Sequence, residues 1–237
     1  MSTTLNDEQE TLKKYSKKLS ENIYDTIASI CILRTIEEVA EKVNEDGHGA
    51  YYSYIQKQMI NSSMLSLSKI FDTDKKSVSI NKINTHIQCN YRKIVMQEPM
   101  ISERADAFKH FNKDNLLSIS NSLELAKYLF SKFTELEELN KDDLKALKDL
   151  RDRHIAHSDT RAIQYKTTWE KVDELIEFLL EYLDLIEFML FTTVWSGDGD
   201  APCSTLVSNA KSAGCSLART FQKLGYIENI SEIKAIK

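Results

Sequence analysis

Apolar positions recur at threes and fours along most of this chain. Near the N-terminus, Leu19, Ile23, Ile27, Ile30, Leu33, Ile36 and Val39 fall on one helical face, and the pattern runs from about Glu8 to Asn44. Gly47 and Gly49 then stop it. A second helix is expected from about Ala50 to Phe71, carrying Tyr51, Tyr54, Ile55, Met59, Met64, Leu65, Leu67 and Ile70. The polar run 72–77 breaks the pattern, and a short helix from Ile80 to Cys89 follows. Pro99 interrupts it again, and residues 90–115 show no clear period. The period returns at Leu116, and Leu123, Leu125, Ala126, Leu129, Phe130 and Phe133 mark a helix to about Leu139. Asn140 stands where it can cap the next helix, with Asp142 and Asp143 in its first turn, where acids favour the helix dipole. That helix carries Leu144, Leu147 and Leu150 to about His157. Thr167 and Glu170 have capping-box spacing. They precede the longest apolar helix, Trp169 to about Val194, which is apolar on more than one side and so belongs at the centre of the core. The linker Ser196–Pro202 leads to a last helix, Leu206 to Leu224, stopped by Gly225, and to a short frayed tail, Asn229–Lys237. The expected architecture is an all-α bundle of long antiparallel helices over residues 1–196, with 197–237 as linker and short C-terminal helical appendage.

Composition narrows the class. Only 2 Pro and 6 Gly in 237 residues leave little material for the tight turns of a sheet-rich fold. A chain 42% hydrophobic and 28% charged has enough apolar surface to fold. No apolar run approaches the ~20 residues of a membrane span, and the polar stretch Met1–Leu12 is no secretory signal, so a cytoplasmic location is expected. A net charge of -5 excludes a body that binds nucleic acid by bulk positive charge, but not local basic patches. Cys31, Cys89, Cys203 and Cys215 form no C-x-x-C pair and have no His at zinc spacing, which predicts reduced thiols and no structural metal. No P-loop, G-x-G-x-x-G or G-x-S-x-G motif is present, and no cofactor is expected.

One constellation carries chemistry. Between Arg151 and His157 the chain places two of its five histidines and two arginines at a helix end. At ~100° per residue, Leu144, Leu147 and Leu150 centre an apolar stripe. Arg151 and His154 fall on its extension, Arg153 points the opposite way, and Asp152 and His157 flank it. An arginine that continues a core stripe is costly to bury alone, so it should pair with an acid or face a cleft or a subunit interface. Histidine moves protons near neutral pH, and a fixed arginine binds phosphate and stabilises its developing charge. Together they suit metal-free cleavage of RNA by its own 2′-hydroxyl, most credibly where a two-fold dimer joins two such sets. The alternative is structural: the histidines serve the helix dipole and the last carbonyls, and the arginine pairs with a neighbouring acid.

The run Arg151–His157 resembles the signature of the HEPN superfamily of all-helical domains: an arginine, a polar residue after it, and a histidine after four to six intervening positions. Here five residues intervene. The flanking form Leu150–Asp159 is similar to the AbiU-like abortive-infection branch. So is the earlier stretch Leu65–Asp72 with Lys75–Ile80, a helix ending in Asp followed by a Ser-containing turn into the next helix. The resemblance covers about residues 10–195. It implies a bundle of four to five core helices, usually dimeric. Many members are metal-independent endoribonucleases in toxin–antitoxin, anti-phage and RNA-processing systems, and others are non-catalytic binding modules. By the same resemblance Arg151 binds the scissile phosphate, His157 is general acid or base, and Asp152 orients one of them. His154 has no fixed counterpart in the family, although straight-helix geometry sets it closer to the stripe than His157. Toxins of this kind that are silenced by nucleotidylation carry a tyrosine two positions after the closing histidine. Asp159 stands there in this chain, so that route is not expected. The implied partners are a second copy of the chain, an RNA substrate, and an antitoxin or other operon protein.

Other features read as structural. Lys13, Lys14, Lys17 and Lys18 make a solvated basic face that can also meet RNA phosphates, partly offset by Glu8, Glu10 and Glu21. Tyr51, Tyr52 and Tyr54 read as core and interface rather than base-stacking platforms. His48 and His110 are isolated, and His86 with Cys89 is an incomplete metal pair. Glu170, Asp173, Glu174, Glu177 and Asp184 lack an E-x-x-H companion, so they read as a solvated face that can supply partners for Arg151 or Arg153.

Overall fold

A computed structural model describes residues 5–74, 76–96, 105–152, 168–191 and 203–233. Among these residues there are nine α-helices and no strand. They are α1 (Asp7–Glu37), α2 (Ala40–Glu45), α3 (Gly49–Ile70), α4 (Ile80–Asn90), α5 (Lys113–Ser118), α6 (Ser122–Leu139), α7 (Lys141–Leu150), α8 (Trp169–Phe191) and α9 (Ser204–Lys223). The chain is all-α, as its hydrophobic period predicts.

Helix α1 begins at a capping box. The Asn6 side chain accepts from the N–H groups of Glu8 and Gln9, and Gln9 accepts from the Asn6 N–H in return. One long helix to Asn44 was expected, but the chain divides it at Glu38–Val39. Val39 leaves helical geometry (φ -117°, ψ 9°), and the short α2 starts after it at Ala40. The break turns Val39 and Val43 inward. They join Ile36, Ala218, Phe221, Tyr226, Ile227 and Ile233 in a small second core. Gly47 ends this segment with φ +77°, the left-handed conformation that glycine adopts without strain.

The main core is built around α8. Residues Leu183 through Glu187 are buried without interruption, so the helix has no solvent face there. Phe178, Leu179, Tyr182 and Ile186 meet Leu19 and Ile23 of α1, Ile83 and Ile87 of α4, and Leu129 and Phe133 of α6 in one cluster. Each such side chain contributes roughly 1.5–3 kcal/mol on burial. The C-terminal helix α9 packs along α1, and its Leu206 and Ala210 belong to the same cluster. Helices α3 and α7 pack side by side, which brings their C-terminal ends to one corner.

Three acids on α8 lie in this core, and each is engaged. Glu181 accepts the backbone N–H groups of Lys109 and His110 at 2.9 and 2.8 Å. Asp184 accepts the N–H of Cys203 at 2.8 Å, and Glu187 accepts the Ser16 hydroxyl. Asp184 is therefore a buried structural group, against the expectation of a solvated face, because the start of α9 donates to it. At the start of α7 the structure also differs from expectation. Asn140 does not cap α7 with its side chain, which turns back to the Leu136 carbonyl. Thr168 bonds the Lys171 N–H at 3.4 Å at the start of α8, while Thr167 lies outside the described residues.

Candidate functional site

Arg151 follows α7 directly as its C-cap residue, and its backbone N–H donates to the Leu147 and Lys148 carbonyls. Asp72 lies two residues beyond the end of α3. The last carbonyls of both helices are partial negative charges, which favour a cation and disfavour an acid. Arg151 meets both needs. Its Nη1 donates to Asp72 Oδ2 at 2.8 Å, and its Nε donates to Asp152 Oδ1 at 2.7 Å.

Asp72 is itself held by its own loop. Its Oδ1 accepts the Asp74 N–H at 3.1 Å, and its Oδ2 accepts the Ser77 hydroxyl at 2.9 Å. Asp74 in turn accepts the Lys76 N–H at 2.9 Å, so the turn that leaves α3 is tied by its own side chains. Burial pushes the Asp72 carboxyl up. The Asp74 N–H, the Ser77 hydroxyl and the Arg151 charge outweigh it, and the group ends below its ordinary range. Asp72 is therefore ionised at neutral pH. Arg151 is held above its ordinary value by the Asp152 hydrogen bond and, against partial desolvation, by Asp72.

This ion pair stands on the wall of a cavity of about 210 Å³, formed where α3, α6 and α7 converge. A guanidinium has five N–H donors. Two are used, and the other three have no partner among the described residues. The corner thus presents an oriented cation at a cavity, arranged to bind an anion with planar oxygen pairs such as phosphate.

Of the residues singled out by sequence, the structure brings Arg151 and Asp152 together. His154, His157 and Arg153 lie outside the described residues. Asp72 was missed as a partner. Its signal was present in two places: the arginine that continues an apolar stripe, and the acid that ends the preceding helical run. Three of the α8 acids offered as partners pair with other described cations. Asp173 pairs with Arg34 at 2.8 Å, Glu174 with Lys171 at 2.8 Å and Glu177 with Lys109 at 3.5 Å. Tyr51 and Tyr54 are exposed at 63% and 64%, contrary to a core reading, whereas Tyr52 packs on Phe221. His86 bonds the Glu8 carbonyl at 3.0 Å rather than sharing a ligand with the exposed Cys89. Among the described residues no three His, Cys, Asp or Glu side chains converge to hold a metal ion. No helix among them is long and apolar enough to cross a membrane.

The sequence model of the AbiU2 family of HEPN domains matches residues 9–200, most of the chain. No curated protein and no solved structure matches it.

Proposed function

The chain belongs to the AbiU2 family of HEPN domains, and from that premise and the Arg151 corner we propose that it is a metal-independent endoribonuclease of the toxin or anti-phage type. The observation that carries this reading is Arg151, clamped by Asp72 and Asp152 on a cavity wall, with three donors that no other described residue takes. In the proposed reaction the 2′-oxygen attacks the adjacent phosphorus as a base removes its proton. The O2′–P bond forms and the P–O5′ bond breaks. An acid protonates the departing 5′-oxygen, which leaves a 2′,3′-cyclic phosphate and a 5′-hydroxyl. Arg151 holds the non-bridging oxygens as their charge grows. Asp152 and Asp72 fix the guanidinium, which lowers the reorganisation needed at the transition state. His157, with His154 beside it, is the proposed proton carrier. A two-fold homodimer would join two such corners across one groove in the cytoplasm, with RNA as substrate and an antitoxin or other operon protein as regulator.

One observation favours a second reading. Two carboxylates on one guanidinium give the trio a net negative charge, as in a structural network. The chain would then be a non-catalytic RNA- or protein-binding module of a defence system. RNA cleavage in EDTA separates the two readings, with wild type compared with Arg151→Ala and His157→Ala and the product ends identified. EDTA-resistant cleavage to cyclic phosphate ends, lost in both variants, is expected. A folded wild-type dimer that leaves RNA intact would instead assign the corner to binding.

A further inference from the structure

The helix that ends at Arg151 carries two more cations toward the same cavity. Lys145 and Lys148 precede Arg151 at intervals of three, so the three lie along one side of α7, and all three line the cavity. Both lysines are exposed, and neither forms an ion pair with a described residue. From α6, Glu137 enters the same cavity. It is half-buried, burial pushes its carboxyl above the ordinary range, and no described donor reaches it. Among the described residues this partly desolvated acid has no donor, and the two lysines on the same cavity do not supply one.

The chemistry of a fitting ligand follows. A cavity of about 210 Å³ is smaller than the ~300–1,000 Å³ sites that take whole small molecules, so it suits one residue of a polymer. Phe71, Leu144 and Leu147 supply an apolar wall for a flat ring. Lysine ammonium groups suit phosphates. A carboxylate suits a base edge made of N–H donors. Among the RNA bases guanine alone offers two adjacent ones, N1–H and N2–H, to both carboxylate oxygens.

We propose that this cavity is a subsite for one guanine nucleotide of single-stranded RNA, with Lys145 and Lys148 on its phosphates and Glu137 accepting from its N1–H and N2–H edge. The proposal rests on the ribonuclease reading and names what that site would recognise.

The test is fluorescence anisotropy of the full chain with 2′-O-methyl RNA, which binds but cannot react. Two labelled uridine-rich oligonucleotides differ by one guanine in place of adenine. Wild type is expected to prefer the guanine oligonucleotide by about tenfold. Glu137→Gln should abolish that preference and leave the salt dependence unchanged. Lys145→Ala and Lys148→Ala should weaken both oligonucleotides alike and flatten the slope of log affinity against log salt by about 0.7 each. Equal affinity for the two oligonucleotides in wild type, a preference that survives Glu137→Gln, or an unchanged salt slope would each overturn the subsite. Cleavage of unmodified RNA is scored beside it. Arg151-dependent cleavage without the binding pattern sinks the subsite and keeps the nuclease. The binding pattern without cleavage sinks the nuclease and keeps the subsite.

Discussion

Glu181 on α8 and Asp72 beyond α3 are both acids held by backbone N–H groups, and they serve opposite ends. Both oxygens of Glu181 face the chain at Lys109 and His110, and the side chain is 3% exposed. Asp72 spends one oxygen on its own loop and shares the other between Ser77 and a cation on a cavity wall. Burial dominates at Glu181 and raises its carboxyl, although the two N–H groups pull against it. At Asp72 the partners outweigh burial and the carboxyl falls. A core acid that closes on the backbone fixes a loop. A corner acid that closes on an arginine leaves that arginine aimed at a cavity.

The largest expected effect breaks the core member. Glu181→Ala leaves two backbone N–H groups without their acceptor, at roughly 1–3 kcal/mol each. The urea midpoint should fall accordingly, while RNA cleavage per folded molecule stays unchanged. A loss of cleavage at constant folded fraction would show that the two regions are not separate. Arg151→Ala should do the reverse. It should lower cleavage by about 10²–10³, the scale of one lost charge-stabilising donor, with a smaller change in melting temperature. Equal loss of stability and cleavage would assign Arg151 to the network alone.

Asp72→Asn sharpens the contrast at the next level down. The amide keeps the shape but loses the charge facing Arg151. Cleavage should fall by about tenfold, because the guanidinium is less firmly held rather than removed. Its stability signature depends on pH. A carboxyl depressed by folding stabilises above its ordinary value of 3.8, and that contribution is lost as pH falls through the folded value. The gap in unfolding free energy between wild type and Asp72→Asn should therefore close in acid. Glu181 has the opposite sign. A carboxyl raised by folding favours the fold most at low pH and loses that contribution as pH rises above its ordinary 4.5. The wild-type advantage over Glu181→Gln should shrink in that direction. Parallel slopes in the two comparisons would contradict the assignment.

The same contrast explains what the sequence could reveal. The ends of α3, α4, α6 and α9 fall within a residue or two of expectation, because their apolar period is strong and Gly225 or the polar run 72–77 ends it locally. The break between α1 and α2 was hidden, since Val39 continues the apolar period, and the cluster it joins includes Phe221 of α9, far along the chain. Asp184 looked solvated because its partner, the Cys203 N–H, lies 19 positions away. Asp72 looked like a helix end and nothing more, because its arginine is 79 positions on. Local periodicity reads elements well, but it cannot see a polar pair whose members meet only after helices pack. Of the proposed proton carriers, His157 rests on the family signature and His154 on the straight-helix projection of the sequence.

The smallest expected effect separates positioning from bulk charge at the corner. Ser77→Ala removes one hydrogen bond to the Asp72 carboxylate, worth about 1.5–3 kcal/mol as a bond to a charged group, and leaves every charge in place. If Asp72 acts by holding Arg151 at a set angle, a looser Asp72 should cost a measurable part of the Asp72→Asn cleavage loss. The double variant should then resemble Asp72→Asn, because both changes act through one contact and their effects do not add. If Asp72 matters only as a nearby negative charge, Ser77→Ala alone should leave cleavage at the wild-type rate, and the double variant should cleave at the Asp72→Asn rate. Cleavage rates and urea midpoints across the four-protein cycle decide between a corner that is aimed and one that is merely neutralised.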